Sequence, residues 1–509
     1  MRREKEQEIS TLHGTLAKRM AFACLLTLGL ATPGAGMAAE GPAAGGAVAG
    51  SASARPAMQQ QALHFWQAVA AKPNERAGLL KAHFSAGIVQ RRGEDKLNET
   101  FTMLAEMLGP AMASLAPTVV LGNDQEGELH YTLKDGRRVA LMLTLQHAEG
   151  RQPLIDRFGV KPLPPLVPTV KPAELPDTIA AHLRAEYGAQ RFSGAVLVAR
   201  GDAVIHAQAI GLADRQSGRA NTLATPINLG SMNKMFTAIA IAQLQAAGKL
   251  DWHDTVGKHL PNFPNAAIRD QVTIHQLLTH TSGVGSYWND AYAANKHRIA
   301  TQQQFLQTFV DQPLLFKPGE GLEYSNGGPV ILGLIIEALS GRTYEDYVRQ
   351  HIYKPAGMKH SDHFRRDDAK AGFAVGYIPA DGGQWLDNQQ DLGLSGSAAG
   401  GGYASVLDLH RFSRALSQQR LLSRSQLEVL WKPYTQPGPI GYGYLFAIGP
   451  ASGKRWVGHN GGAPGISAEF MHYPDDGLVI IVLANQDHAA MPMREWLSAL
   501  LDASLGTGR

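Results

Sequence analysis

Six prolines within fifteen residues divide this chain. Pro162, Pro164, Pro165, Pro168, Pro172 and Pro176 each fix one backbone dihedral and remove one amide donor, so no single helix or central strand can run through them. The sequence on either side therefore has to fold as separate cores. A length of 509 residues asks for the same thing, since single cores stop growing well short of that size. The reading is a stiff linker over 161–176, a smaller unit over 58–160 and a larger one over 177–505.

The chain opens with an export signature. Lys18 and Arg19 precede a short apolar run from Met20 to Leu30, and small residues follow around Ala35 to Ala39. The run is too short to span a bilayer, and the pattern is that of a cleaved signal peptide over 1–39. Translation from Met20 would remove the two basic residues, so the start codon stays open. Cys24 is the single cysteine and lies inside the apolar run. A mature chain without it has no disulfide, no thiolate chemistry and no cysteine-held metal. Residues 40–57, rich in Gly, Ala and Ser, read as a flexible tether. The expected location is periplasmic or secreted, with no stable membrane anchor after cleavage. The formal net charge of +3, with no Lys/Arg run beyond the N-terminus, points away from a nucleic-acid partner.

In the smaller unit, Leu63, Trp66, Val69 and Ala70, then Phe101, Leu104 and Leu108, recur at helical spacing. Leu129, Tyr131 and Leu133 alternate, as do Val139, Leu141 and Leu143, across Asp135-Gly136. That is a hairpin around a favoured turn pair, and the whole reads as a small α+β domain. In the larger unit, strands are expected at Ala195–Ala199 and Ala203–Gln208, and again at Trp456–His459, Ala468–Tyr473 and Leu478–Leu483. Helices lie between the two groups. The fold class is α/β (α+β): an antiparallel sheet flanked by helices, joined to a helical lobe.

Three short segments carry chemistry. In Ser231-Met232-Asn233-Lys234, serine starts a helix and lysine follows one turn later on the same face. A hydroxyl becomes a useful nucleophile only when a neighbour takes its proton, and an amine held beside it in a partly desolvated pocket can do so. This spacing alone is weak, because a helix-capping serine with a solvated lysine gives the same letters. Tyr324-Ser325-Asn326 opens an apolar helix. Tyr324 could relay a proton to a leaving group, and Asn326 could orient Lys234 and bind a substrate carbonyl. A rival, Tyr287-Trp288-Asn289, has the composition of a surface loop. His459-Asn460-Gly461-Gly462 lies on a C-terminal strand. Its glycines allow substrate close to the backbone, and the amides of Ser231 and Gly462 could form an oxyanion hole.

Other hydrolase plans are missing. The nearest approach to a Gly-x-Ser-x-Gly elbow is Gly393-Leu394-Ser395-Gly396, followed by Ser397. His-Glu-x-x-His and a phosphate-cradling loop are absent, and no metal or cofactor is expected.

The order Ser-x-x-Lys, Tyr-x-Asn, His-x-Gly resembles the class C beta-lactamase-like family, which includes D-Ala-D-Ala carboxypeptidases, D-aminopeptidases and carboxylesterases. Leu277-Leu278-Thr279-His280-Thr281-Ser282-Gly283, Lys317-Pro318-Gly319 and Ala399-Gly400-Gly401-Gly402-Tyr403-Ala404-Ser405 add to the likeness, which covers roughly 180 to 490. It implies a sheet lobe, a helical lobe, a cleft between them and an acyl-enzyme on Ser231. Many beta-lactamases carry lysine where His459 stands, and neutral histidine holds a carboxylate poorly. The substrate is therefore expected to be a small ester or peptide-like amide, cell-wall peptide included. Arg455, an even number of residues before His459, could supply a cation on the same strand face. Beta-lactamase or D-Ala-D-Ala carboxypeptidase activity, or acylation without turnover in a cell-wall peptide or beta-lactam binding protein, are the alternatives. A third assigns 58–160 a docking role. Trp288, Tyr292, Tyr377 and Trp385 are candidate pocket walls.

Overall fold

The computed structural model describes residues 56–505 except 110, 111, 113, 134, 135, 369–371, 381, 382, 437, 452 and 453. The expected signal segment with Cys24, most of the tether and Asp135 of the hairpin turn lie outside the described residues. The chain divides into one unit ending at Val167 and another running on from Pro168.

In the first unit four helices precede a sheet. The helices are α1 (Pro56–Ala70), α2 (Pro73–His83), α3 (Ala86–Arg92) and α4 (Glu94–Leu108). The last two residues of the expected tether are thus helical. Strands β1 (Val119–Gly122), β2 (Glu126–Thr132), β3 (Arg138–Gln146) and β4 (Leu154–Leu163) form an antiparallel sheet in chain order. The predicted alternation sets the register: Leu129 pairs with Leu141 and Tyr131 with Val139, which turns all four toward the helices. Phe65 and Phe101 meet edge to face at 5.7 Å in the core. Pro162 lies within β4 rather than in a linker. That strand pairs on one side only, and an edge tolerates a missing amide donor.

The second unit begins with α5 (Leu175–Gly188), preceded by a short turn at Pro172–Glu174. Pro172 and Pro176 sit in first turns, where an amide donor has no intrahelical partner anyway. Strands β5 (Gly194–Arg200) and β6 (Ala203–Ile210) follow. Then come the long helices α6 (Lys234–Ala246), α7 (Gly327–Ser340) and α8 (Val406–Ser417), with shorter ones between. The chain returns through β7 (Gly441–Tyr442), β8 (Ala447–Ala451), β9 (Lys454–Ala463), β10 (Ile466–His472) and β11 (Leu478–Ala484), and ends in α9 (Ala490–Leu505). The antiparallel sheet has the order β7-β8-β9-β10-β11-β5-β6, so strands from both ends of the unit lie side by side. Helix α9 packs on β10 and β11, and α8 packs on β11 and β5. The central strand β11, Leu-Val-Ile-Ile-Val-Leu-Ala, is consequently buried at every position. Helix α6 is buried from Lys234 through Ala242, as an apolar run on all sides requires. Its first turn thereby becomes a fixed point between the sheet and the helical lobe.

Candidate active site

Ser231 occupies a single 3₁₀ turn, Gly230–Asn233, that leads into α6. The turn is pressed against β9. A Cβ on Gly461 would stand 1.8 Å from the Leu229 carbonyl oxygen, and a Cβ on Gly230 would stand 2.7 Å from the Gly462 nitrogen. Only hydrogens fit at both places, which explains the glycines and places the Gly462 amide beside the Ser231 peptide. From the other side, Leu229 N–H donates to the Gly402 carbonyl at 2.8 Å and Gly401 N–H to the Gly230 carbonyl at 3.3 Å. The glycine-rich segment 399–402 forms the floor beneath the serine.

Lys234 is fully buried. Its Nζ donates to Ser231 Oγ at 3.0 Å, Asn326 Oδ1 at 2.8 Å and the Ala399 carbonyl at 2.6 Å. Three bonds on one nitrogen fix its position relative to the hydroxyl. Asn326 immediately precedes α7, and its Nδ2 donates to Ser286 Oγ at 3.4 Å. The ring of Tyr324 lies 4.9 Å from Lys234 Nζ, measured to its centroid. It is flanked by the rings of His280 at 4.6 Å and His459 at 6.4 Å.

His459 Nδ1 donates to the carbonyl oxygen of Asn460 at 2.5 Å. A carbonyl only accepts, so the proton sits on Nδ1 and Nε2 presents a lone pair. Burial, with the charge of Lys234 second, pushes this imidazole down to about 3. It is a neutral acceptor at any ordinary pH. Arg455 does not supply the missing cation: its guanidinium is bound to both oxygens of Glu428 at 2.7 and 3.0 Å.

Ser231, Lys234, Tyr324, Asn326, His459, Gly461 and Gly462 are therefore gathered at one place. Asn460 contributes only its backbone. Successive side chains on a strand point to opposite faces, so Asn460 stands away from His459, opposite Glu469 of β10. The rival Tyr287-Trp288-Asn289 is structural. Tyr287 is buried with its hydroxyl bonded to Ser397, and Asn289 caps the helix Asp290–Asn295 by accepting from Tyr292 N–H at 2.9 Å. Of the four candidate walls, Tyr292 is buried, Tyr377 and Trp385 each lie against the Arg215 guanidinium, and Trp288 is exposed beside Ser286, its backbone N–H donating to Ser286 Oγ at 3.2 Å. Three participants escaped the sequence reading: His280, Ser286 and the Ala399 carbonyl. Two of them lie in segments singled out for their family likeness, which was the available signal.

A family model described as beta-lactamase matches residues 178–504, well over half of the chain. The chain belongs to the beta-lactamase family. It is a serine hydrolase with the beta-lactamase-like arrangement of an antiparallel sheet flanked by helices. Penicillin-binding protein 4* of Bacillus subtilis is 31% identical over 332 residues, 62% of this chain and 72% of that protein. Esterase EstB of Burkholderia gladioli is 34% identical over 184 residues, 33% of this chain and 47% of the esterase. The crystal structure of a penicillin-binding protein from Bacillus halodurans superposes with a TM-score of 0.58 at 31% identity, covering 63% of this chain and 99% of that one. The matched family segment lies wholly within the second unit and contains every residue of the site described above.

Proposed function

We propose that this beta-lactamase-family hydrolase is exported and cleaves a small ester or peptide-like amide through an acyl-enzyme on Ser231. The observation that carries the mechanism is the triply bonded Lys234 Nζ, 3.0 Å from Ser231 Oγ. Once that amine has given up a proton, its lone pair faces the hydroxyl. Ser231 Oγ then attacks the substrate carbonyl carbon while Lys234 takes the hydroxyl proton. The developing oxyanion is held by the amides of Ser231 and Gly462. Tyr324 passes a proton to the departing oxygen or nitrogen as the carbonyl reforms as an ester of Ser231; water then attacks that ester, giving a proton to the Tyr324 phenolate, and Lys234 returns its proton to Ser231 Oγ as the acid leaves.

The neutral acceptor on His459 supports a substrate without a carboxylate at that position, since Arg455, the cation expected there, is bound to Glu428 instead. The likeness to an esterase supports the same class. A second reading, acylation by cell-wall peptides or beta-lactams, is favoured by the likeness to penicillin-binding proteins across most of their length.

Intact-mass spectrometry with a nitrophenyl ester, a D-Ala-D-Ala peptide and a penicillin separates these readings. The ester is expected to form a transient adduct with product release, and Ser231→Ala to lose both while remaining folded. Lys234→Ala is expected to match that loss. Full ester turnover in Ser231→Ala would remove the mechanism. A long-lived penicillin adduct without ester turnover would favour the second reading. Export is tested by cell fractionation and the N-terminal sequence of the mature chain.

A further inference from the structure

His280 takes no part in the chemistry proposed above, yet it bonds to the chain on both sides of Tyr324. Its carbonyl oxygen accepts the N–H of Glu323 at 3.1 Å. Its Nδ1 accepts the N–H of Ser325, also at 3.1 Å. One residue thus holds the amides immediately before and after the tyrosine. Its ring lies 4.6 Å from the phenol ring, tilted by 37°. The next residues continue the clamp: Ser325 Oγ donates to the Gly285 carbonyl at 2.9 Å, and Gly327 N–H donates to the same carbonyl at 3.1 Å.

The backbone of His280 is left-handed, with φ of 59°, a conformation costly to most residues and better tolerated by His, Asn and Asp. That conformation turns the carbonyl and the side chain of one residue toward the same strand of loop. The ring is buried, and because Nδ1 accepts, the proton of the neutral ring is on Nε2, which has no hydrogen-bond partner among the described residues. A leucine or phenylalanine would fill such a space without stranding a donor. What imidazole adds is the acceptor at Nδ1. Burial, followed by the charge of Lys234, holds the ring well below the ordinary histidine range, so the acceptor is never lost to protonation in the working range.

We propose that His280 is the positioning residue for Tyr324, aiming the phenol at the Ser231–Lys234 pair by fixing the N–H groups of the residues on either side of it. The proposal rests on the reading of Tyr324 as the proton carrier to the leaving group.

The test compares His280→Ala, His280→Asn and His280→Gln with Ser231→Ala, on a nitrophenyl ester and an alkyl ester of the same acid. Asparagine tolerates the left-handed backbone and places its Oδ1 at the same bond count as Nδ1, whereas glutamine carries its acceptor one bond farther out. Misplacing a reacting group by about 1 Å can cost on the order of 100-fold. His280→Ala is therefore expected to lose about 30-fold or more in kcat on the alkyl ester with KM nearly unchanged. The nitrophenyl ester, whose leaving group needs no proton, should lose far less. His280→Asn should recover most of the loss and His280→Gln should not. Equal losses on both esters, or wild-type kcat in His280→Ala, would overturn the proposal. Should His280→Ala fail to fold, equal activities of the Asn and Gln variants would overturn it instead. Retained turnover in Ser231→Ala would sink the parent mechanism, whatever the His280 variants do.

Discussion

Adding one methyl group at Gly461 should inactivate the enzyme, whereas the same addition at Gly462 should not. At Gly461 the new carbon would stand 1.8 Å from the Leu229 carbonyl oxygen and 2.8 Å from its carbon. Contacts of a Cβ below 3.0 Å essentially do not occur, so strand β9 and the serine turn must part by about 1.2 Å. Both partners are backbone, and no side chain can swing away to absorb the change. The Gly462 amide would retreat from the Ser231 amide by a similar amount, which opens the proposed oxyanion hole. Losing one such donor costs about 100- to 1,000-fold in turnover, or about 3–4 kcal/mol of transition-state stabilisation. At Gly462 a Cβ meets only the Ile466 carbonyl oxygen at 4.0 Å, because the strand's alternation turns it the other way. Gly461→Ala is expected to lose at least about 100-fold in kcat on the nitrophenyl ester, and Gly462→Ala about threefold or less. Thermal melts establish that both variants fold, with Gly461→Ala lowered by several degrees because overpacking costs roughly 1–3 kcal/mol. A Gly461→Ala variant that turns over like the wild type would refute the close-approach reasoning.

Replacing the neutral acceptor by a cation, His459→Lys, should raise the kcat/KM preference for an ester bearing a free carboxylate over its neutral analogue by about tenfold; an unchanged ratio in paired kinetics would mean that His459 does not face the substrate. Acid stability should respond to His472, which is buried with Nδ1 bonded to Ser413 Oγ at 2.9 Å and pushed down to about 4, mainly by burial. Below the ordinary histidine value of 6.5 the unfolded chain takes up a proton that the folded one refuses, so stability falls as pH drops from 6.5 toward 4, by about 3 kcal/mol for this site. His472→Gln should flatten that part of the urea-midpoint profile while leaving pH 8 nearly unaffected, and parallel profiles for variant and wild type would disprove it.

The residues legible in the sequence share a property: their relations are local. Ser231 and Lys234 are three residues apart, so their contact follows from the single 3₁₀ turn that leads into α6 and from the apolar run that fixes where α6 starts. Tyr324 and Asn326 announce themselves by standing at the entry to a helix as apolar as Gly327–Ser340. The central strands of the second unit, Gly194–Arg200 and Leu478–Ala484, are visible as apolar runs, because helices cover both faces of the sheet there and nearly every position is buried. The prolines, by contrast, overstate the linker. A proline fits an edge strand or a first helical turn as well as a spacer, and which of these it occupies depends on neighbours that composition does not name.

What stayed hidden is what passes between distant segments. Parity along β9 correctly places Arg455 on the same face as His459, but parity cannot reveal that Glu428, from a helix nearly thirty residues earlier, claims the guanidinium. The same rule of alternation, applied one residue further, removes Asn460 from the cleft, so that misplacement was avoidable. His280 was not readable in this way. Its part depends on a left-handed backbone that lets one residue offer two acceptors to a loop more than forty positions away, and no letter in the sequence encodes that pairing. The site is thus built on two scales. The nucleophile and its amine are set by one local turn and should survive wide changes in the surrounding loops. The phenol's aim is set by a long-range clamp, and it is there that small changes far from Ser231 should tune turnover without touching the reacting atoms.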